Sequence, residues 1–400
     1  MAVKILILTA RIPYPVRDGG ALAMSQTIEE YIALGCEVSL LAMNTSRHWV
    51  DENSLPTFYN KLVNFKTVYV KTNVNPLAAF INLFTDKSYN VERFIHKEYR
   101  IALIELLSKQ TFDFIQFESI YTAPYLDIAK AHTKAKMFCR VHNIEHLIWQ
   151  RLTDNEKNFL KKRYLQLLTH RLKNYELTII QQFDLLLTIS AQEAAYFQDN
   201  KLNHCYHLPF GIDTNAQLPI EYIKPEIESC YHLGSMDWAP NLEGVHWLRN
   251  EIWPLVQAIN PQLFLYLAGK NMPANIVSEP DKNIIVKGEV DDIIVFSLEK
   301  NIMLVPLLAG AGIRIKIIQA MALGKTIIGT TIAFEGIGIS NGENGIVADT
   351  AADFAKAINY YCLHTDKSKQ IGQKAQAYVH KHYKKETIYK NWMLFYEEVL

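Results

Sequence analysis

Short runs of hydrophobic residues alternate along this chain with segments whose hydrophobic residues recur at helical spacing. Nearly uninterrupted runs are typical of parallel strands buried on both faces of a sheet, and the helices that join such strands cover those faces. The pattern therefore predicts an α/β protein. Its first elements are a strand over 3–9, a loop that includes Gly19 and Gly20, and a helix over 21–34 that ends at Gly35.

Further strands are predicted wherever a hydrophobic run recurs. In the first half of the chain they cover residues 36–41, 114–117, 136–141, 185–189 and 204–208. The alternation then breaks and restarts. In the second half the predicted strands cover residues 229–233, 263–268, 284–287, 302–307, 326–329 and 345–347.

The break indicates a domain boundary, because 400 residues exceed what one hydrophobic core usually organises. Its residues have the composition of a linker. They include Pro209, Gly211, Asp213, Pro219 and Pro225. We expect two Rossmann-like, doubly wound domains that face each other across a cleft, one over 1–208 and one over 209–385. A helix over 386–400, rich in aromatic residues, is expected to pack back on the first domain.

Composition excludes several classes of protein. Forty-one basic residues balance 41 acidic ones, so no bulk field attracts nucleic acid, and none is expected as a partner. Five widely spaced cysteines favour reduced thiols over a disulfide framework or a zinc cluster. The first hydrophobic run is too short for a signal peptide, and no run is long enough to span a membrane. We therefore expect a cytoplasmic protein.

The most informative segment is 303–329, where a hydrophobic strand ends at a glycine-rich turn and a helix follows. Glycines allow a ligand to approach the backbone closely, and a helix N-terminus offers unpaired N–H groups. Arg314 and Lys316 add two positive charges there. The segment predicts an anion site that fits a diphosphate.

Two other segments carry alternatives that the sequence leaves open. A basic helix is predicted over 151–176. Either it packs on the protein through one hydrophobic stripe and exposes its opposite face to solvent, or its basic face contacts anionic lipid head groups. The hydrophobic segment 76–84 belongs either to the core or to a contact with an acceptor tail or a bilayer edge. Peripheral contact with the inner face of a membrane is thus an open possibility.

At this point several motifs, in order, resemble those of GT-B fold glycosyltransferases of the retaining family 4, often called glycosyl transferases group 1. No motif is decisive alone, but their order and spacing cover nearly the whole chain. They are the Gly19-Gly20 loop, Val141 to Glu145, Leu208 to Asp213, Gly234 to Asn241, Lys287 to Val290 and Gly312 to Ala322.

The resemblance implies roles for particular residues. Gly19 and Gly20 would face the acceptor and donor phosphates, and His142 would contact the donor sugar. The Gly234 loop opens the donor domain, and the Gly288 to Val290 loop would contact the nucleotide base. Arg314 and Lys316 would bind the diphosphate, with backbone from Gly312 and Ile313 near the sugar. Glu335, in a loop after a predicted strand, is a further candidate for a donor contact, and Asp237 and Asn241 are others.

The chain also departs from the family pattern of two glutamates separated by seven residues. Gln319 stands at the second position, where it can still contact a ribose hydroxyl, and Ala311 stands at the first, where it cannot replace a carboxylate. The chain contains no Asp-x-Asp motif of the kind that holds a metal in many glycosyltransferases. Because two cations could stabilise the leaving diphosphate instead, we expect metal-independent transfer without a cofactor.

The expected function is retaining transfer of a sugar from a nucleotide-diphosphate sugar to a glycan or lipid-linked acceptor, in the synthesis of a surface polysaccharide. A nucleotide-sugar epimerase and a non-catalytic nucleotide-sugar-binding homologue remain alternatives on the same fold. His142, Glu145 and His146 also fit a zinc-protease pattern, which requires both histidines on one face of a helix.

Overall fold

The computed structural model describes residues 2–16, 19–200, 202, 204–212, 229–278, 283–310 and 312–399. Ala311 and most of the predicted linker, including Asp213, Pro219 and Pro225, lie outside these residues. The chain forms two compact units. The first comprises Met1–Phe210 with Ile388–Leu400, and the second comprises Gly211–Thr387.

The first unit contains a seven-stranded, fully parallel sheet. Its strands are β1 (Lys4–Thr9), β2 (Glu37–Thr45), β3 (Asn64–Val70), β4 (Phe114–Glu118), β5 (Lys136–Val141), β6 (Leu185–Thr188) and β7 (Cys205–His207). Their spatial order is β3-β2-β1-β4-β5-β6-β7. The order in which strands are added to the sheet reverses between β1 and β4, and Leu8 of β1 pairs with Leu41 on one side and Phe117 on the other. Ligands of doubly wound sheets bind at the carboxyl ends of the strands near such a switch point.

Eight helices connect these strands. They are α1 (Gly19–Ala33), α2 (Pro76–Asn82), α3 (Tyr89–Glu92), α4 (Lys97–Lys109), α5 (Leu126–His132), α6 (Glu145–Asn155), α7 (Phe159–Ile179) and α8 (Ala191–Asp199). Short 3₁₀ turns lie at Glu52–Ser54, Thr57–Lys61, Ala123–Tyr125 and Ile180–Gln182. The start of α8 is fixed by its sequence, because the side chains of Ser190 and Glu193 each bond the other's backbone N–H and form a capping box.

The second unit repeats the architecture with a six-stranded parallel sheet. Its strands are β8 (Ser229–Leu233), β9 (Phe264–Ala268), β10 (Ile284–Gly288), β11 (Ile302–Val305), β12 (Thr326–Gly329) and β13 (Ile346–Val347). Their order is β10-β9-β8-β11-β12-β13, so the switch point lies between β8 and β11. The two parallel α/β sheets confirm the predicted fold class.

The helices of the second unit follow the same alternation. They are α9 (Ala239–Trp247), α10 (Trp253–Ile259), α11 (Ala274–Ser278), α12 (Ile293–Leu298), α13 (Ile315–Ala322), α14 (Ala351–Leu363), α15 (Thr365–His382) and α16 (Lys385–Val399). A π-helical turn at Leu248–Ile252 joins α9 to α10.

Helix α16 contributes to the core of the first unit. Ile388, Trp392 and Phe395 are buried in one cluster with residues of β1, β2, β4 and β5. The ring of Trp392 meets Tyr31 edge-on at 4.9 Å between centroids. Burial of such large rings is a major stabilising contribution to a domain.

The predicted helix over 151–176 is wrong as a single element. Helix α6 ends at Asn155, three residues follow without helical structure, and α7 begins at Phe159. The side chain of Asn158 accepts a hydrogen bond from the Lys161 amide and so caps the new helix. Helix α7 nevertheless packs by one stripe, which includes Leu168 and Leu172.

Two other sequence-based expectations also need correction. Gly19 and Gly20 lie in the first turn of α1 rather than in the preceding loop. In segment 76–84 the large hydrophobic side chains are exposed, so packing in the core is wrong for them. The five cysteines are free thiols, as predicted.

Candidate functional site

The predicted donor-site residues of the second unit follow the carboxyl ends of neighbouring strands. Gly234 directly follows β8, Gly288 ends β10, and the segment containing Gly310 and Gly312 follows β11. Because β8 and β11 flank the switch point, these glycines border the place where parallel α/β sheets bind ligands.

Glycine is required in the turn after β11. Gly310 has a φ of +123° and Gly312 a φ of +80°, in the region that side chains disfavour. A Cβ atom on Gly310 would lie 2.7 Å from the terminal nitrogen of Arg314 and 3.1 Å from the ring of Trp238. A side chain at Gly310 would therefore displace the guanidinium of Arg314 or the ring of Trp238.

Arg314 occupies the N-cap position of α13, where the sequence predicted a cation. Its guanidinium lies 5.8 Å from the ring centroid of Trp238 and donates a hydrogen bond to the carbonyl of Gly312. Only 6% of the residue is exposed. The aromatic ring and the glycine turn thus fix the guanidinium at the helix N-terminus.

Lys316 bridges the switch point. Its Nζ atom donates to the carbonyl oxygen of Leu233, at the end of β8, over 2.7 Å and to Oδ1 of Asn241 over 3.0 Å. Asn241 in turn donates to the carbonyl of Ser235 over 2.9 Å. These bonds join the first turn of α13 to the loop between β8 and α9.

The electrostatics of this corner are unusual. Burial, together with the charge of Arg314, lowers the pKa of Lys316 to about 7. The neighbouring His232 lies inside β8 and donates from Nδ1 to the carbonyl of Leu304 over 3.0 Å. Burial and the charge of Lys316 lower the pKa of His232 to about 3, so the imidazole is neutral at physiological pH.

The remaining candidates of this unit lie along the same edge. Gln319 is exposed one turn after Lys316, on the same side of α13. Glu335 is half-buried in the turns that follow β12, and Val290 follows Gly288 at the end of β10. Gly288 has a φ of +68°, and the space beside it is open. Ile313 is half-buried next to Arg314, and Ala311 lies outside the described residues.

In the first unit, His142 directly follows β5 and forms a close pair with a buried carboxylate. Its Nε2 atom lies 2.5 Å from Oε2 of Glu118, the last residue of β4. The Glu118 side chain is fully buried and that of His142 is 11% exposed. The imidazole is therefore held at the carboxyl edge of the sheet.

A buried network supports Glu118. Tyr31 donates to Gln116 over 2.5 Å, and Gln116 donates to Oε1 of Glu118 over 2.5 Å. The guanidinium of Arg140 lies 4.0 Å from the same oxygen. Burial by itself would raise the pKa of Glu118, but the bond to His142 and the charges of His142 and Arg140 lower it. The carboxylate is thus ionised.

Arg140 also joins the glycine-containing first turns of α1 to the sheet. Its guanidinium donates to the Ala23 carbonyl over 3.0 Å and to Thr27, and it lies 5.6 Å from the ring of Trp392. Gly19 and Gly20 therefore begin a helix that is anchored beside β5, the strand that His142 follows.

The zinc-protease pattern does not form a metal site. His142 follows a strand, and only Glu145 and His146 lie in α6. Both ring nitrogens of His146 are engaged, by Glu176 at 2.6 Å and by Tyr196 at 2.8 Å. Within the described ranges, no three histidine, cysteine or acidic residues are grouped so that they could hold a metal ion.

Sequence reasoning missed two side chains that shape these sites, Glu118 and Trp238. Glu118 ends a hydrophobic run and is 24 residues from His142, so only the pairing of β4 with β5 reveals their contact. Trp238 lies against Arg314, and Asn241, a candidate for a donor contact, accepts a hydrogen bond from Lys316. The motif from Gly234 to Asn241 was the available sequence signal for Trp238.

Comparison with known proteins agrees with this geometry. Residues 228–363, which contain the glycine turn and Arg314, match the family model described as glycosyl transferases group 1. A protein of Klebsiella pneumoniae, described as an uncharacterized 44.6 kDa protein in cps region, is 26% identical over 401 residues. The match covers 97% of this chain and 98% of that protein.

Solved structures share the whole fold at low identity. Sucrose-phosphate synthase from Thermosynechococcus elongatus superimposes with a TM-score of 0.72 at 16% identity, covering 99% of each chain. HepE from Anabaena, solved in complex with UDP-glucose, gives a TM-score of 0.66 at 14% identity, covering 99% of this chain and 100% of its own.

The helices of the described residues include none that is long and apolar enough to cross a membrane. The family match lies within the second unit, and the two parallel sheets are those of GT-B structures. The protein therefore has the fold of GT-B glycosyltransferases, and residues 228–363 of its second unit match the family model of the glycosyl transferases group 1.

Proposed function

We propose that this enzyme is a retaining, metal-independent family 4 glycosyltransferase of the cytoplasm. It moves a sugar from a nucleotide-diphosphate sugar to a glycan or lipid-linked acceptor at the inner face of a membrane, in the synthesis of a surface polysaccharide. One observation carries the proposal: Arg314 and Lys316 lie at the start of α13 beside a glycine turn, within the family match.

The comparisons support the substrate class. HepE has been solved with UDP and with UDP-glucose, which makes uridine nucleotides the first donors to test here. The Klebsiella relative is described as a protein in a cps region, and this supports a role in polysaccharide synthesis.

The cation pair suits the chemistry of the leaving group. When the bond between sugar and diphosphate breaks, negative charge grows on the diphosphate, and fixed positive groups stabilise it most in the transition state. Arg314 is held by Trp238 and the turn, so little reorganisation is needed. Lys316 would supply a second charge, with its proton retained once an anion binds nearby.

Other residues of the second unit would bind the rest of the donor. We assign the nucleotide base to backbone at Gly288 and Val290, the ribose to Gln319, and the sugar to backbone at Gly312 and Ile313. Glu335 and the Gly234 loop are the further donor contacts. All of these residues follow the carboxyl ends of strands except Gln319, which is exposed on α13.

In the first unit, His142 would contact the donor sugar, and Glu118 would orient its imidazole. A carboxylate that accepts a hydrogen bond from one ring nitrogen fixes the plane of the imidazole ring. Gly19 and Gly20 would face phosphate groups. In the retaining mechanism that we propose, the leaving oxygen accepts the proton of the acceptor hydroxyl, and no protein nucleophile takes part.

A product assay tests the proposal. The full-length enzyme is incubated with each nucleotide sugar, with and without lipid-linked and free glycan acceptors, and products are identified by mass spectrometry and NMR. We expect acceptor-dependent release of nucleoside diphosphate, unchanged by EDTA, and a product with the anomeric configuration of the donor.

The alternatives give different results in the same assay. An epimerase converts the donor when no acceptor is present. A non-catalytic homologue binds the nucleotide sugar but releases neither nucleotide nor sugar. An inverted anomeric configuration or loss of activity in EDTA would contradict the retaining or the metal-independent part of the proposal.

A further inference from the structure

Helix α2 turns its hydrophobic stripe outward. Leu77, Phe80, Ile81 and Phe84 recur at the spacing of one helix face, which in a globular protein normally packs on the core. Here all four are exposed, Phe80 by 58% and Phe84 by 78%. The two phenylalanine rings contact each other edge-on at 5.6 Å. We call these four side chains the α2 ridge.

The ridge is rigidly supported from behind. Arg171 of α7 donates to the carbonyls of Asn82 and Leu83, over 2.8 and 3.2 Å, at the end of α2. At the start of α2, the Tyr89 hydroxyl accepts from the Asn75 amide and donates to its carbonyl, over 2.9 and 3.0 Å. An exposed stripe on so well-anchored a segment is a built surface rather than a frayed end.

Helix α7 is connected to both ends of α2. Tyr89, which bonds Asn75 at the start of α2, belongs to α3, and α3 packs against α7; Arg171 of α7 bonds the end of α2. In the first turn of α7, Phe159 and Leu160 are exposed by 67% and 77%. They are a second exposed hydrophobic group, on the helix that anchors the ridge.

Basic residues adjoin both hydrophobic groups in the sequence. Exposed lysines precede and follow the ridge at Lys71 and Lys87, with the exposed Asp86 beside Lys87, and Lys157, Lys161 and Arg163 flank Phe159 and Leu160. Arg163 lies 5.4 Å from the ring of Phe159. Two of these lysines form ion pairs, Lys161 with Glu156 and Lys87 with Glu92. Hydrophobic side chains within a basic rim match the interface of an anionic bilayer.

The position of the surface relates it to the active edge of the same unit. The segment that leads into α2 leaves the carboxyl end of β3, and the sheet is parallel, so the ridge lies toward the edge where His142 lies. Strands β3 and β5 are four positions apart, which corresponds to roughly 19 Å. An acceptor held in a membrane at the ridge would have its head group directed along that edge.

We propose that the α2 ridge and the first turn of α7 form a surface that docks the enzyme on an anionic bilayer. The hydrophobic side chains insert at the level of the head groups, and the basic rim contacts the lipid phosphates. The purpose of this docking rests on the proposed lipid-linked acceptor, but the docking itself does not depend on catalysis.

Vesicle sedimentation of the full-length protein tests the surface. We expect binding to phosphatidylcholine vesicles that contain phosphatidylglycerol and weak binding to phosphatidylcholine alone. The Phe80→Ser, Phe84→Ser double variant should lose binding at least tenfold. Its matched control replaces two exposed hydrophobic residues of the second unit, Ile259→Ser and Leu363→Ser, and should bind like the wild type.

A second pair of variants tests the basic rim. Lys157→Gln with Arg163→Gln should weaken binding to the anionic vesicles by about fivefold per residue, and high salt should do the same. Lys356→Gln with Lys367→Gln, two exposed lysines of the second unit, is the control. Absence of wild-type binding, or equal binding by the ridge variant and its control, would overturn the proposal.

Two further measurements separate the alternatives. Sedimentation velocity that shows a wild-type dimer, abolished by the ridge variant, would assign the surface to a second copy of the chain and overturn membrane docking. Nucleotide binding, followed by thermal shift, should be unchanged in the ridge variant. Vesicle binding without any nucleotide binding would leave the docking proposal standing while the proposed function fails.

Discussion

Lys316 and Leu233 connect the two sides of the switch point in the second unit, because the lysine Nζ donates to the leucine carbonyl over 2.7 Å. The bond draws a charged group into a partly buried position, and burial lowers its pKa to about 7. A lysine with such a pKa responds to an anionic ligand, because a nearby negative charge favours the protonated form.

Nucleoside diphosphate binding should therefore take up protons above pH 7. Free Lys316 is largely neutral at pH 8, and the bound diphosphate returns its proton, so affinity falls as the pH rises through and above 7. Calorimetry at pH 8 in two buffers of different ionisation enthalpy measures the uptake. Lys316→Arg stays charged and should bind without it. Equal uptake in the variant would contradict this assignment.

The same lowered pKa affects stability with a defined sign. In the unfolded chain Lys316 keeps its proton up to its usual pKa, whereas the folded unit releases it near pH 7. The unfolded state thus binds more protons between these values, and this group makes the unit more stable as the pH rises from 7 toward 10. Lys325, whose pKa burial lowers to about 8, acts in the same direction.

Removing the Arg314 side chain should lower turnover more than donor affinity. The guanidinium stabilises charge that develops only as the diphosphate leaves, so Arg314→Ala should reduce kcat by about 10²-fold. Steady-state kinetics with the identified donor measures the effect. Lys356→Ala, at an exposed position, is the control, and full activity in Arg314→Ala would remove Arg314 from the site.

Glu118 and His142 should act as one unit in catalysis. His142→Ala removes the proposed sugar contact, and Glu118→Gln removes the charge that orients the imidazole, so each should lower kcat. In a double-mutant cycle the effects should be far from additive, because Glu118 acts through His142. Fully additive effects on kcat would contradict the positioning role.

Glu193→Gln is the matched control for loss of a buried carboxylate, since Glu193 caps α8 and its charge, like that of Glu118, acts on Arg140. It should reduce stability and leave turnover unchanged. The Glu118 variant will also cost stability, because Arg140 then remains buried without its ionised partner. The kinetic cycle, rather than the melting temperature, is therefore the decisive measurement.

A side chain at Gly310 should displace Arg314 from the anion site. A Cβ atom at Gly310 would meet Arg314 and Trp238, whereas Gly342→Ala, at a φ of +77°, has open space beside it and is the control for backbone strain. Gly342→Ala should lose about 1 kcal/mol from that strain, and Gly310→Ala, at a φ of +123°, should lose more. Calorimetry should find nucleotide binding lost in Gly310→Ala alone, and equal binding by the two would contradict the steric account.

The sequence predicted the buried strands well, because a strand covered on both faces must be hydrophobic throughout. It missed β3, which is an edge strand of largely half-buried residues, Lys66 and Thr67 among them. The sequence also predicted one helix where the structure has α6 and α7, since the helical spacing of hydrophobic residues resumes after the three residues that end at Asn158. Local patterns do not record where a helix stops and restarts.

The candidate site divides in the same way. The glycine turn and its two cations are contiguous in sequence, so the anion site could be predicted from local residues. Glu118 could not be found, because its partner comes from another strand, and Trp238 reaches Arg314 across a strand switch. The exposed hydrophobic residues of α2 have the same spacing as those of a helix packed in the core. Only their exposure in the structure distinguishes an exposed stripe from a buried one.

The central claim is that the start of α13 binds the diphosphate of a nucleotide sugar. A thermal-shift screen of the wild type and Arg314→Ala against nucleoside diphosphates and nucleotide sugars tests it most directly. A ligand at 100 times its Kd stabilises the folded state by about 2.7 kcal/mol. We predict that at least one nucleoside diphosphate raises the wild-type Tm by several degrees. Arg314→Ala should respond far less to it, because the free diphosphate already carries the charge that Arg314 stabilises. A panel in which nucleoside diphosphates shift neither protein, or shift both equally, would contradict the account.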